Sequence, residues 1–191
     1  MKLDLPLIYA AKLTPRAPLL VTTIDEESGK ANVAPYGWVT QISQNPPLIL
    51  LATRKSHKTY RNVAKIREFV LNLPSSEIVD KVWMTAQRFP PTTSKIKEAG
   101  LTTLKARKVR PPRISECDAH IECAVEEIFT DIGDHALVIG KVVACSASEG
   151  VFEDDSTVNF EGKNWFVCVG DDLVGIITQT KRVKIPFFKG S

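Results

Sequence analysis

The feature that most limits the fold is the recurrence of short β-branched and apolar runs, each closed by turn residues, along most of the chain. Ala17 to Ile24 leads into the charged, glycine-containing turn Asp25 to Lys30. Ala31 to Tyr36 alternates, and Gly37 to Ser43 stays extended as far as the turn at Asn45, Pro46 and Pro47. Leu48 to Ala52 is continuously apolar and reads as a central strand buried on both faces. Phe69 to Leu73, Ile121 to Phe129, Ala136 to Cys145, Asn164 to Val169 and Asp172 to Thr178 add further strands. Helical spacing is confined to three places. Tyr60, Val63 and Ala64 recur on one face after Ser56. Ser75 caps a helix through about Ala86 whose inner stripe is Ile78, Val79, Val82, Trp83 and Ala86, and beyond the loop Phe89 to Thr93 a short helix from Ser94 to Ala99 ends at Gly100. Strands and helices do not alternate, which disfavours a doubly wound parallel sheet. The expectation is a mainly β fold, a β-barrel with inserted helices, forming a single domain over residues 1–191.

Lys and Arg number 25 against 22 Asp and Glu, and at 43% apolar and 25% charged residues the chain has the composition of a folded protein, not a disordered one. No stretch approaches the roughly 18 uncharged apolar residues of a membrane span. The patch of Leu5, Leu7 and Ile8 within Met1 to Leu13 is broken by Asp4 and Pro6 and is too short for a secretory signal, so a cytoplasmic location is expected. A formal charge of +3 gives no nucleic-acid footprint. The basic run Lys105 to Arg113 has no interleaved aromatics and reads as a solvated loop or a contact for an acidic partner. Cys117, Cys123, Cys145 and Cys168 lack the spacing of zinc or dithiol motifs and read as free, mostly buried thiols. His57, His120 and His135 are far apart, and no metal site is expected. The adjacent acids Glu126 and Glu127, Asp154 and Asp155, and Asp171 and Asp172 point to opposite faces of a strand and read as surface charge.

Three segments carry candidate chemistry. Arg54-Lys55-Ser56-His57-Lys58-Thr59 lies where a strand ends and a helix begins, and cations there oppose the helix dipole. A phosphate cradle built from main-chain N–H groups, the Ser56 and Thr59 hydroxyls and the Lys58 ammonium accounts for the pattern, as does a solvated basic turn capped by Ser56. Asn32 to Thr40 places Tyr36, Gly37 and Trp38 in a strand-like run, suited either to stacking on a planar ring or to packing a barrel core. Gly133-Asp134-His135 reads as a turn at the entrance to a strand containing Gly140, with His135 able to titrate near neutrality or lie against a ring.

In order along the chain, these segments resemble the flavin reductase-like and flavoredoxin family of FMN-binding split β-barrel proteins. The likeness starts at Leu13-Thr14-Pro15-Arg16-Ala17-Pro18, similar to the family's Pro-Arg-Pro opening, and runs to about residue 145. The resemblance implies a homodimer that binds FMN, with Trp38, Val39 and Thr40 at the ring. Ser56, Lys58 and Thr59 fall where the family holds the phosphate, Ala52, Thr53, Arg54 and His57 complete the implied cofactor-binding set, and His135 falls where reductases face nicotinamide. Two motifs depart from the family: its frequent Ser-Phe-Phe-Asn reads Gly37-Trp38-Val39-Thr40, and His57 and Lys58 replace its usual Lys and acid. The implied activity is NAD(P)H:flavin reduction, with NADH or NADPH as co-substrate and a redox protein or monooxygenase as a further partner. The alternatives are a flavoredoxin-like electron carrier reduced by a protein, and a barrel for another phosphorylated ligand.

Overall fold

A computed structural model describes residues 3–90, 92–154, 157–170, 172–181 and 183. Met1, Pro91, Asp155 and Asp171, each part of a segment read above, lie outside the described residues. A four-residue helix α1 (Ala10–Leu13) precedes strands β1 (Leu19–Ile24), β2 (Ala31–Tyr36), β3 (Val39–Gln44) and β4 (Pro47–Arg54), then α2 (Lys58–Ile66) and β5 (Glu68–Leu73). Helices α3 (Val79–Ala86) and α4 (Lys95–Glu98) follow, then the short strands β6 (Thr103–Leu104) and β7 (Arg113–Ile114). The long strands β8 (Ala119–Phe129) and β9 (His135–Ala147) come next, and a hairpin of β10 (Phe166–Cys168) and β11 (Val174–Ile176) ends the set.

Seven of these strands form one sheet in the order β2-β1-β5-β8-β9-β4-β3, with every pair antiparallel. Its two outermost strands, β2 and β3, are consecutive in sequence yet not paired with each other. The mainly β architecture with a few inserted helices is the one the turn-punctuated runs predict.

The sheet separates two cores. Val21, Tyr36, Ile49, Leu51, Val63, Phe69, Leu71, Cys123 and Val138 fill one side. Leu20, Val33, Val82, Ile96, Leu101, Ile114 and Phe166 pack on the other. β1 is therefore covered on both faces, since Leu20 and Val21 point into different clusters, and β5 is buried on both faces as well. β4 is not: Ile49, Leu51 and Thr53 are buried, whereas Leu50 and Ala52 on the opposite face line an open cavity. The continuous apolar run thus has one face in the core and one reserved for the cavity. Gly140 on β9 is required by packing inside the sheet, because a Cβ there would stand 2.6 Å from the Phe69 ring.

Several local expectations shift. The buried face of α2 is Thr59, Asn62, Val63 and Ile66, while Ala64 is exposed, because the helix docks its polar Asn62 onto Thr23 of β1 through a 2.9 Å hydrogen bond. Ser75 precedes a single 3-10 turn, Ser76–Ile78, without capping it by its side chain; α3 begins only at Val79, and Ala86 is exposed. Cys117 and Cys123 are buried, and burial pushes the Cys123 thiol up to about 12, but Cys145 is exposed and Cys168 half-buried. The basic run keeps most of its cationic side chains exposed, as a solvated loop does, but its backbone is docked onto the sheet. The carboxylate of Glu122, 1% exposed, accepts the Arg107 amide at 2.8 Å and the Lys108 amide at 2.6 Å. Arg113 approaches the same carboxylate at 3.9 Å, and Arg110 pairs with Glu68 at 3.0 Å. A buried acid on β8 thus pins the loop's backbone to the sheet, and Arg110 and Arg113 have partners within the chain, while the side chains of Lys105, Arg107 and Lys108 stay exposed.

Candidate functional site

The unpaired outer strands β2 and β3 are joined through Gly37 and Trp38, and a cavity of about 460 Å³ opens beside this junction. That volume lies in the range of small-molecule sites, about 300–1,000 Å³. Trp38, Val39 and Thr40 form one wall, Leu50 and Ala52 of β4 the floor, and Arg16 closes the side ahead of β1. The Ala52 amide donates to the Trp38 carbonyl at 3.0 Å. Since main-chain groups of successive strand residues turn to opposite sides, the N–H and C=O of Val39 face the free edge of the sheet. Gly37 lets the Arg16 stem lie against the backbone: a Cβ at Gly37 would sit 3.2 Å from the Arg16 Cβ. The Arg16 carbonyl accepts the Cys168 amide at 2.8 Å, so β10 fixes this segment from behind.

At one end of the cavity the rings of Trp38 and His135 stand 4.7 Å apart at 50°. Register brings them together. His135 is the Cα partner of Arg54 across the β4–β9 pair, and Leu50, Ala52 and Arg54 share one face of β4 by period two. Gly133, at φ +65°, makes the turn before His135. The Asp134 carboxylate lies 2.7 Å from His135 Nδ1, and that hydrogen bond holds the Asp134 carboxyl below the usual carboxylate range. Trp38 is 43% exposed, so a face of the indole remains open to a ligand.

Beyond Ala52, β4 runs two more residues, about 7 Å, into the start of α2. His57 occupies the N-cap position with extended backbone and makes no side-chain capping bond. The first-turn N–H groups of α2 therefore point outward without a side-chain acceptor, among the exposed Arg54, Lys55 and Ser56. Among the described residues no carboxylate pairs with Arg54 or Lys55, whereas Lys58 Nζ reaches Asp25 at 3.3 Å. The Ser28 amide and hydroxyl, with help from Lys58, hold the Asp25 carboxyl at about 2. His57 Nδ1 lies 3.3 Å from the Tyr36 hydroxyl, itself 2.9 Å from Thr53 Oγ1. Burial, then the charges of Arg54, His135, Lys95 and Arg88, push the His57 pKa down. The last two cations come from the α3–α4 region, where Lys95 donates to the Thr85 carbonyl at 3.1 Å.

A family model described as "Flavin reductase like domain" matches residues 11–163. The chain belongs to that family. A protein of Pyrococcus abyssi is 39% identical over 124 residues, 65% of this chain and 70% of its own length. Among solved structures, nitrilotriacetate monooxygenase component B from Bacillus cereus superposes with a TM-score of 0.83 at 24% identity, covering 96% of this chain and 98% of that one. A flavoredoxin from Methanosarcina acetivorans gives 0.81 at 21%, covering 99% and 98%. The FMN-binding protein from Thermus thermophilus gives 0.80 at 24%, covering 96% and 97%. At these identities the structures establish the fold, a split barrel of the flavin reductase-like type, and membership of the family ties the chain to flavin-related redox chemistry.

Within this flavin reductase-like chain the residues singled out from sequence divide into three groups. Trp38, Val39, Thr40 and Ala52 meet at the cavity, with His135 against Trp38. Arg54, Ser56, His57 and Lys58 gather at the helix start. Thr53 and Thr59, at 0% and 2% exposure, are turned inward: Thr53 holds the Tyr36 hydroxyl, and Thr59 accepts from Asn32 Nδ2 at 3.4 Å. Tyr36 likewise packs in the barrel core instead of presenting its ring to a ligand. Arg16 and Leu50 went unassigned as wall residues. Alternation within Leu48 to Ala52 carried the signal for Leu50; Arg16 had none beyond its place in the Pro-Arg-Pro-like opening.

Proposed function

We propose that the chain is an FMN-dependent NAD(P)H oxidoreductase of the flavin reductase type, acting as one domain. The observation that carries this reading is the pairing, on one face of β4, of an open cavity beside Trp38 with an uncapped, cation-rich helix start beyond Arg54. Bound FMN would supply the redox chemistry, accepting a hydride from nicotinamide and passing electrons to an acceptor. The residues fit such a group. A planar ring meets Trp38 and the turned-out main chain of Val39, and a phosphate dianion meets the free N–H groups and Arg54. The Arg16 guanidinium supplies a further donor, since its Nε is buried without a hydrogen-bond partner.

His135 is the group suited to orient nicotinamide. It sits at the cavity end with its side chain 16% exposed, held by Asp134 on one nitrogen. Its role is positioning and hydrogen bonding, and no nucleophile is needed. A second copy of the chain is the partner we infer for the open edge, where β3 leaves Ile42 exposed and one side of its backbone unpaired.

The visible spectrum tests the reading. Protein mixed with FMN and freed of excess ligand should keep flavin absorption, and NADH or NADPH added without air should bleach it. Retained absorption that neither nucleotide bleaches makes the chain an electron carrier of the kind a flavoredoxin represents. Protein that keeps no flavin and does not oxidise nicotinamide in the presence of free FMN refutes the assignment.

A further inference from the structure

Among the described residues, Arg16 Nε is the buried side-chain nitrogen or oxygen that makes no hydrogen bond. A guanidinium donor shut away from water without an acceptor destabilises the fold. The Arg16 backbone is already fixed by Cys168, and the stem is seated on Gly37. Yet the side chain lines the same cavity as Trp38, Val39, Thr40 and Ala52. A cavity-lining arginine with an unmet donor fits a ligand atom that accepts a hydrogen bond and gains negative charge.

We propose that Arg16 binds the N1 and C2-carbonyl edge of the flavin ring and raises the ring's tendency to take up electrons; this rests on the FMN reading above. The two edges of the ring differ in chemistry. The dimethylbenzene edge has no acceptor and would leave the guanidinium unpaired, whereas the pyrimidine edge offers carbonyl oxygens and N1, where the negative charge gathers on reduction. A fixed cation there acts as a preorganised electrostatic stabiliser of that charge. A carboxylate on the electron acceptor is the competing partner. A titration run without any electron acceptor distinguishes the two.

Sulfite reads this interaction without nicotinamide or acceptor. Its sulfur lone pair forms a bond to flavin N5, and the negative charge comes to rest on N1 and the C2 carbonyl, with nothing leaving. FMN-loaded wild type, Arg16→Met and Arg16→Lys are titrated with sulfite, and their flavin midpoint potentials are measured. Met keeps the stem over Gly37 and removes the charge; Lys keeps the charge and loses the fork. Arg16→Met should bind sulfite at least tenfold more weakly. Its potential should fall by a matching tenfold change in equilibrium, about 30 mV for a two-electron couple, with Arg16→Lys between it and wild type. Loss of FMN from a normally melting Arg16→Met also supports the contact, and Arg16→Lys then supplies the sulfite comparison. Flavin-loaded variants with wild-type sulfite affinity and potential overturn the Arg16 assignment and leave the FMN reading standing. Wild type that retains no flavin overturns both.

Discussion

Trp38 and His135 are far apart in sequence, yet their rings lie 4.7 Å apart because β4 pairs with both β3, which Trp38 precedes, and β9, which His135 begins. The pair joins a half-exposed indole face to a group that can hydrogen-bond, beside the open side of the sheet. His135→Ala should therefore slow NADH or NADPH oxidation about tenfold or more while leaving the FMN dissociation constant within about threefold, as fits a loss of orientation rather than of cofactor. Stopped-flow reduction beside an FMN titration checks it; an unchanged reduction rate removes His135 from the site.

At the start of α2, Arg54 rather than Lys58 should dominate the grip on phosphate, because Lys58 is drawn toward Asp25 at 3.3 Å. Arg54→Gln is expected to weaken FMN binding about tenfold or more, consistent with the worth of a charge-assisted hydrogen bond. Lys58→Ala and Ser56→Ala should cost less. Riboflavin, which lacks the phosphate, should bind all three variants as it binds wild type. Calorimetric titration with both ligands decides the matter, and equal losses for riboflavin would place these residues elsewhere.

His57 gives the site a pH dependence whose sign is fixed by its surroundings. In the free protein burial and neighbouring cations hold its pKa below the ordinary 6.5. A phosphate dianion beside it would raise that pKa, so binding takes up a proton between the two values. FMN affinity should then rise as pH falls toward about 6, where the phosphate dianion itself takes up a proton and the gain levels off. His57→Ala should flatten this profile. The same depressed pKa works against folding in acid: the unfolded chain binds the proton more readily, so the stability gained from a neutral His57 is complete above 6.5 and is lost as pH falls toward the lower folded value. Thermal melts of ligand-free wild type and His57→Ala between pH 7 and 5 should converge or diverge accordingly, wild type losing more.

Gly140→Ala should destabilise the protein by about 1–3 kcal/mol, the usual cost of overpacking a filled core. The added methyl would meet the Phe69 ring at 2.6 Å and Cys123 Cβ at 3.0 Å. Chemical denaturation measures this. Pairing the change with Phe69→Leu should recover part of the loss if the clash is the cause.

Glu122→Gln should cost about 1–3 kcal/mol by weakening buried charge-assisted bonds to the Arg107 and Lys108 amides. Faster amide exchange across residues 105–113, with little change in the rest of the sheet, is the expected signature. Unaltered exchange there would mean that the loop docks for another reason.

The strand runs, the helix stop at Gly100 and the turn at Gly133 were legible in the sequence, since period, branching and turn chemistry are set by neighbours along the chain. So was the clustering of Arg54, Ser56, His57 and Lys58, which one strand-to-helix junction delivers together. Sequence by itself could not say which face of Leu48 to Ala52 would be left uncovered, that Thr53 and Thr59 would turn inward, or that Arg107 and Lys108 would lie on Glu122. Nor could it seat Arg16 in the cavity or bring His135 to Trp38. Those outcomes follow from the pairing and register of strands distant in sequence, where a shift of one residue exchanges the core face for the cavity face. Local residues fixed which segments could build a flavin-type site; the closing of the sheet everywhere except between β2 and β3 decided where it opens.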